Sequence, residues 1–456
     1  MIRLRALRDR FRGSLFYVPS LFVTMAAALA WGVIRFESGA VSSGGSRGLL
    51  LSVTVASARS ILGTIAGATI TVAGIVFSVT VVSVQLASTQ FTPRVLRGFL
   101  RDRFQQNIIG IIVGTFTYCT LVLATIRVTG SDSDEAASPS LSVTIAIVLA
   151  VASILGIVAF IDHSARSMQV GHIIRRVTAE TRERIAVLYV DRSDDDCILD
   201  EIPPEPDGEP TVVRAWEDGW IQQLSERVLC EATAPGSYLR VDSGVGAFVV
   251  EDTPLVTVWG DDAPDIARMR EAFAIGAERT MQQDVMFGIR QLVDIGLRAL
   301  STGVNDPTTA YEVIVHLGSI LSDVLRRDLP PRVRNDPEGR TLVLSERHDH
   351  EAHVKRAFGQ LRIAGAGQPA VLIRLLRTLH LLDELMREVG PEDGSRSAAG
   401  DLTSRRDAIR RQADLVIATA EHAGYIEADL EEIHREARDL GFLPPGVPAT
   451  GAGHGD

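Results

Sequence analysis

Four long apolar segments lie in the first 162 residues of the chain, and the rest of the sequence contains nothing comparable. They cover residues 17–34, 61–87, 107–126 and 141–161, and none of them contains Asp, Glu, Lys or Arg. A helix needs about 20 apolar residues to cross the hydrocarbon core of a bilayer. The pattern therefore predicts an α-helical integral membrane module of four transmembrane helices at residues 1–162.

The second apolar segment carries small and polar residues in a regular pattern. One set recurs at steps of three and four, which places it on one side of a helix: Thr64, Gly67, Thr71, Gly74, Ser78, Val81, Gln85 and Ser88. We call this set the first stripe. A second stripe runs nearby through Thr69, Ala73, Val76, Thr80, Ser83, Ala87 and Gln90. Such stripes are typical of close helix packing. An uncharged polar stripe also suits the lining of a path for an ion or water in an oligomer, and both interpretations stay open.

Beyond the spans the pattern predicts a cytoplasmic α+β module. Residues 163–210 begin as a juxtamembrane helix, to about residue 186, and continue as an acidic linker. Residues 211–260 form short apolar runs between Gly, Pro and Asp turns. This layout predicts a small β-barrel-like domain that resembles the biotinyl/lipoyl type, without the lysine that such carriers modify. For residues 261–440 the pattern predicts a helical domain with helices at 264–300, 308–327, 369–389 and 404–440. Residues 441–456 are predicted to form a disordered tail.

The distribution of arginine predicts the topology. Clusters of Arg precede the first span, separate the second span from the third, and follow the fourth. Basic residues accumulate on the cytoplasmic side of membrane spans. Four spans with both termini in the cytoplasm place every cluster on that side.

Composition excludes several classes of function. The net charge of -11 argues against nucleic acid as a partner. Cys119, Cys197 and Cys230 are isolated and show neither metal-type spacing nor a disulfide framework. The absence of an acid or base inside the spans counts against a proton-coupled pump. Because no catalytic triad, phosphate loop or dinucleotide fingerprint is evident, we expect neither an enzyme nor a cofactor.

The densest polar motif of the chain follows the β-rich region, and its members are Arg279, Gln283, Asp284, Arg290, Asp294, Arg298, Asn305 and Asp306. The spacing of Arg290, Asp294 and Arg298 predicts an ion-pair ladder. Asp306 with Pro307 predicts a helix start. One interpretation is a helix-turn-helix held by ion pairs. The other is a ligand or subunit contact, since exposed ion pairs contribute only ~0–1 kcal/mol each to stability.

A cluster of His348, His350 and His353 with Asp349 and Glu351 contains good ligands for zinc or nickel. It lies at a predicted helix start, where the two carboxylates also suit the helix dipole. We therefore expect no metal here.

Several long motifs resemble a family of bacterial predicted membrane proteins of unknown function. They are FSVT at residues 77–80, QLASTQFTPRVLR at 85–97, QDVMFGIRQLVDIGLRALS at 283–301 and Asn305-Asp306-Pro307. The resemblance covers nearly the whole chain except the C-terminal tail. It implies an integral membrane protein and assigns no activity, substrate or catalytic residue.

Taken together, these patterns favour a multi-pass protein of the bacterial inner membrane. We expect channel-like passage of an ion or small solute through a homo-oligomer, with gating or assembly by the cytoplasmic part. The alternative is a non-conducting scaffold or sensor whose cytoplasmic domain binds a protein or small ligand. The lipid bilayer is the expected surrounding in either case.

Overall fold

The computed structural model describes residues 17–40, 54–90, 103–129, 140–167, 169–189, 197–198, 202–345, 348–388 and 396–444. The chain forms two compact units that meet in sequence between Gln169 and Val170. The Arg clusters at residues 3–12 and 94–101, parts of the acidic linker, and the tail beyond residue 444 lie outside the described residues.

The first unit contains four long apolar helices, which confirms the prediction of four apolar helices at the N-terminal end of the chain. They are α1 (Tyr17–Ala40), α2 (Val55–Gln90), α3 (Arg103–Thr129) and α4 (Ser140–Ser167). Each is long and apolar enough to cross a membrane. The helices extend beyond the apolar segments at most of their ends, because polar residues continue the helix without interrupting its backbone hydrogen bonds.

α3 lies at the centre of this bundle and packs against α1, α2 and α4. Two glycines of α3, Gly110 and Gly114, face α1. A Cβ atom at Gly110 would lie 2.5 Å from the ring of Phe22, and one at Gly114 would lie 3.4 Å from the carbonyl oxygen of Phe22. The Gly-x-x-x-Gly spacing thus lets α1 approach more closely than larger residues would allow.

The second unit contains two β-sheets. The strands are β1 (Cys197–Ile198), β2 (Thr211–Arg214), β3 (Gly219–Leu224), β4 (Tyr238–Val241), β5 (Phe248–Val249), β6 (Pro254–Trp259), β7 (Phe273–Gly276), β8 (Val333–Asn335) and β9 (Thr341–Leu344). One sheet has the order β1-β8-β9-β4-β6-β2 and the other β5-β3-β7. Both orders are open among the described strands, so the barrel-like part of the prediction is not confirmed.

Three strands come from the region predicted to be helical. β7 pairs with β3, and β9 pairs in parallel with β4. The helix predicted over residues 264–300 is therefore wrong in its middle part. The short apolar run of β7 gains backbone partners from β3, about 50 residues away in sequence, which overrides its local helical pattern.

The remaining helices of the second unit pack mainly against one another. They are α5 (Val170–Leu188), α6 (Glu226–Glu231), α7 (Ile266–Glu271), α8 (Val285–Ala299), α9 (Pro307–Leu325), α10 (His350–Ala364), α11 (Pro369–Glu388), α12 (Arg396–His422) and α13 (Glu427–Asp439). α8 is buried along most of its length between α5, α9 and α10. The single helix predicted over residues 404–440 is divided at Gly424, whose φ of 72° lies in the left-handed region.

Candidate functional site

The structure places the two stripes of α2 on opposite sides of the helix. Thr69, Val76, Thr80 and Ser83 of the second stripe are buried within the four-helix unit, where α2 contacts α3 and α4. The described members of the first stripe, residues 64, 67, 71, 74, 78, 81 and 85, are all exposed. Ser88 belongs to the helix, but its side chain lies outside the described part of the chain, as do those of Ala87 and Gln90. The second stripe thus accounts for packing within one chain, and the first does not.

The glycines of the exposed face have no neighbours in the described structure. A Cβ atom at Gly63, Gly67 or Gly74 would meet no atom within 4 Å. Gly63 and Gly67 repeat the Gly-x-x-x-Gly spacing of Gly110 and Gly114. Among the four apolar helices this spacing thus occurs in α3, where α1 packs against it, and in α2, where no described atom would lie within 4 Å of an added Cβ.

The hydroxyl groups of the first stripe donate their hydrogens to their own helix. Thr64 donates to the carbonyl of Ser60 at 2.8 Å, Thr71 to that of Gly67 at 2.9 Å, and Ser78 to that of Gly74 at 2.9 Å. Each oxygen then presents only lone pairs to its surroundings. The exposed face of α2 is accordingly a line of neutral hydrogen-bond acceptors beside glycines.

A third polar line, which the sequence analysis missed, joins α3 to α4. Ser142, Ser153 and Ser164 are buried and lie eleven residues apart, which is three helical turns. The hydroxyl of Thr115 lies 3.1 Å from that of Ser153, and Gln105 Nε2 lies 3.5 Å from the hydroxyl of Ser164. The eleven-residue spacing is the signal that could have revealed this line.

At one end of that line, a carboxylate of α1 caps α4. Oε1 of Glu37 accepts hydrogen bonds from the backbone N–H groups of Leu141 and Ser142, at 2.8 and 3.0 Å. The hydroxyl of Ser142 donates to Oε2 at 2.5 Å. Glu37 thereby satisfies orphan donors at a helix N-terminus and fixes the first span to the fourth.

The polar motif of the second unit is divided among separate contacts. Arg279 Nε lies 2.6 Å from Oδ2 of Asp284, and Asp284 Oδ1 accepts from the backbone N–H of Phe287 as the N-cap of α8. The side-chain amide of Gln283 binds both backbone groups of Leu224 in β3. These residues attach the small sheet to the start of α8.

The later members of the motif connect helices. Arg290 binds Asp294 at 2.7 Å, as the spacing predicted, and also donates to Gln360 of α10 at 2.7 Å. Asn305, at a φ of 48°, accepts from Gln368 at 2.7 Å. Arg298 is exposed on α8. The motif is therefore spread from the segment before α8 to the start of α9, and its members make separate contacts along that length.

Asp306 is the N-cap of α9 with Pro307 in the first turn, which confirms that prediction. It accepts from the backbone N–H of Thr309 at 3.1 Å and from its hydroxyl at 2.6 Å. These hydrogen bonds lower the pKa of Asp306.

Two of the three histidines near the start of α10 make hydrogen bonds, and the ring centroid of the third, His348, lies 6.4 Å from that of His353. Nδ1 of His353 lies 2.7 Å from the carbonyl of Asp349, and Nε2 lies 3.0 Å from the hydroxyl of Tyr189. Burial lowers the pKa of His353 to about 4, so the ring is neutral at pH 7. Nε2 of His350 lies 3.1 Å from the carbonyl of Arg327. Within the described ranges no group of three His, Cys, Asp or Glu side chains is placed to hold a metal ion.

The chain matches a family model described as "Predicted membrane protein (DUF2254)" over residues 12–380. It is also 32% identical, over 440 residues, to uncharacterized proteins of Mycobacterium bovis and Mycobacterium tuberculosis. That alignment covers 94% of this chain and 80% of those proteins. No solved structure matches the chain. The family match agrees with the four apolar helices described above, and the chain belongs to the DUF2254 family of predicted membrane proteins.

Proposed function

We propose that this protein forms a homo-oligomer through the outward face of α2 and that this face lines a path for a small ion. The observation that carries the proposal is the exposed first stripe. A Cβ atom at Gly67 or Gly74 would meet no described atom within 4 Å, and the exposed hydroxyls of Thr64, Thr71 and Ser78 bond to carbonyls of α2 itself. In lipid, a line of Gly, Ser and Thr offers little surface for packing. A neighbouring helix or a water-filled path gives these residues a partner.

The two kinds of residue on this face occupy different sides of it. At 100° per residue, Gly63, Gly67 and Gly74 lie about 60° from Thr64, Thr71 and Ser78 around the helix. In a ring of α2 helices, the glycine side would contact the next copy and the hydroxyl side would face the central path. One face of one helix can thus serve both assembly and passage.

The chemistry of the lining favours a monovalent cation. Thr64, Thr71 and Ser78 present oxygen lone pairs at intervals of about 10 Å along the helix, and their hydrogens are held by backbone carbonyls. Such oxygens attract cations and repel anions. They carry no formal charge, whereas sites for divalent cations usually contain carboxylates.

We further propose that the protein lies in the bacterial inner membrane with both termini in the cytoplasm, and that the second unit gates or assembles the oligomer. The Arg clusters of the sequence support this orientation.

Purified protein reconstituted in planar bilayers tests the proposal. We expect currents with a reversal potential that follows the gradient of potassium and not that of chloride. Ser78→Leu should block them, because a bulky apolar side chain dewets a narrow path. Ile75→Leu is the matched control, since Ile75 is 59% exposed on a flank of the same helix and keeps its apolar character.

Full assembly without current, at varied voltage, tension and pH, would contradict the channel and favour the scaffold or sensor. Equal currents from wild type and Ser78→Leu would contradict the role of the first stripe. The size of the oligomer in mild detergent, measured in parallel, separates a blocked path from a failed assembly.

A further inference from the structure

α5 is the segment of the second unit that follows the fourth span most closely. α4 ends at Ser167, and only Met168 and Gln169 separate it from the start of α5 at Val170. One side of α5 is buried against α8 and α9, and its buried residues are Ile173, Ile174, Val177, Thr178, Thr181 and Ile185. α5 is therefore fixed to the core of the second unit and joined through two residues to α4, the fourth candidate span.

The contact between α5 and α8 is tightest at one glycine. A Cβ atom at Gly288 would lie 2.1 Å from the hydroxyl oxygen of Thr181 and 2.9 Å from its methyl carbon. No side chain larger than hydrogen fits at this position without moving α5 or α8. A displacement of α8 toward α5 is consequently passed on to α5, because packed interiors are not readily compressed.

Polar contacts hold α5 at three further points. Arg182 binds Asp323 of α9 with two hydrogen bonds, at 2.6 and 3.2 Å. Thr178 lies 3.0 Å from Nδ1 of His316, also in α9. Tyr189, directly after α5, contacts His353 of α10 at 3.0 Å. The bonds to α9 and α10 restrain sliding and rotation of α5, which packing alone would permit.

We propose that α5 transmits changes in the second unit to the fourth span, and so regulates the passage proposed above. Displacement of α8 or α9 moves α5, and the two-residue connection conveys that movement to α4. This regulation rests on the proposed function, whereas the mechanical link from α5 to α4 does not. The link can therefore be tested without measuring current.

The test uses full-length protein in liposomes, with the native cysteines replaced and Ser164→Cys as a reporter in α4. Ser164 is buried, with its hydroxyl 3.5 Å from Gln105 of α3, so its reaction with a thiol reagent reports separation of α4 from α3. Gly288→Ala forces α5 and α8 apart at Thr181. Thr181→Ala in the same chain removes the hydroxyl and methyl groups and relieves the clash.

Hydrogen exchange of residues 170–188 shows whether α5 has been loosened. We expect Gly288→Ala to speed this exchange and to change the labelling rate of the reporter several-fold, with both values returning toward wild type in the double variant. Asp323→Asn, which weakens the bond to Arg182 without adding volume, should act in the same direction.

Faster exchange in α5 with unchanged labelling in both variants would overturn the proposed link, because α5 would then move independently of α4. Unchanged exchange in both variants would overturn it as well, because the contacts named above would not be what holds α5. If labelling changes but wild-type protein carries no current, the link stands and the channel proposal fails. If wild type conducts and labelling changes while the current in Gly288→Ala is unaltered, the regulatory part fails.

Discussion

At the scale of single residues, buried charges in the second unit depend on specific partners. The side chain of Asp284 is 4% exposed and that of Arg279 is 22% exposed, and each neutralises the other. The guanidinium of Arg279 also lies over the rings of Trp220 and Phe287. Removing one member of such a pair costs more than the pair contributes, because the remaining charge stays buried.

Asp284→Asn should destabilise the second unit by about 3 kcal/mol, the lower end for a buried ion pair because the Arg279 side chain is 22% exposed. Asn is as good an N-cap as Asp. The loss of stability therefore measures the ion pair with Arg279 and not the helix cap. Asp306→Asn is the matched control, because Asp306 also caps a helix but lies half-buried at α9. Thermal unfolding of the purified variants measures the difference. Equal unfolding temperatures for the two variants would contradict this account of Asp284.

The neutral ring of His353 should make stability depend on pH. The pKa of His353 is about 4 in the folded protein, whereas the ordinary value for histidine, which applies to the unfolded chain, is 6.5. Because the folded pKa is the lower, the unfolded chain binds more protons between these values. Stability is therefore full above about pH 6.5 and decreases as the pH falls toward about 4, by roughly 3 kcal/mol at most.

His353→Gln should flatten that part of the pH profile, whereas His422→Gln, at an exposed histidine of α12, should leave it unchanged. Unfolding free energies measured between pH 4 and 7 check this. A profile of the same slope in His353→Gln and wild type would contradict the assignment.

At the scale of elements, the local sequence pattern was sufficient to predict a helix or strand where the apolar segment was long or the residue chemistry was specific. The four apolar helices, the cap at Asp306 and the presence of short strands within residues 211–260 follow from hydropathy, side-chain chemistry and turn residues. β7, β8 and β9 could not be predicted in this way. They are short. β7 and β9 are strands because β3 and β4, which are distant in sequence, supply hydrogen bonds to them, whereas β8 pairs with its neighbour β9 and with the distant β1. The contact of Arg279 with the ring of Trp220 could not be predicted either, because the two residues lie about 60 positions apart in sequence.

Glycines of the apolar helices that pack against another helix and those that face open space should respond differently when each is changed to alanine. Gly110→Ala should destabilise the four-helix unit, since the added Cβ would lie 2.5 Å from the ring of Phe22. Gly32→Ala should be neutral or slightly stabilising, because nothing described lies within 4 Å and Ala favours a helix by roughly 1 kcal/mol over Gly. The unfolding temperatures of the two variants and of wild type, measured in the same detergent, test this difference. Equal destabilisation by both changes would contradict the packing of α1 on α3.

At the scale of the whole molecule, the proposed function includes one orientation in the membrane, with both termini in the cytoplasm. An impermeant thiol reagent applied to intact cells should label Ser133→Cys and not Ser395→Cys, each in a cysteine-free chain. Ser133 lies in the acidic segment between the third and fourth spans, and Ser395 follows all four. The reverse labelling pattern would contradict cytoplasmic termini. Lysed cells, in which both positions should react, provide the control.

The central claim is that the outward face of α2 lies beside α2 of another copy, and cross-linking in native membranes tests it most directly. Single cysteines replace Gly67 or Gly74 in a cysteine-free chain, with Val148→Cys as the control, because Val148 is 61% exposed on α4. Mild oxidation should give covalent dimers from the two α2 positions and few or none from Val148→Cys. Dimers from Val148→Cys alone, or equal yields at all three positions, would contradict the claim.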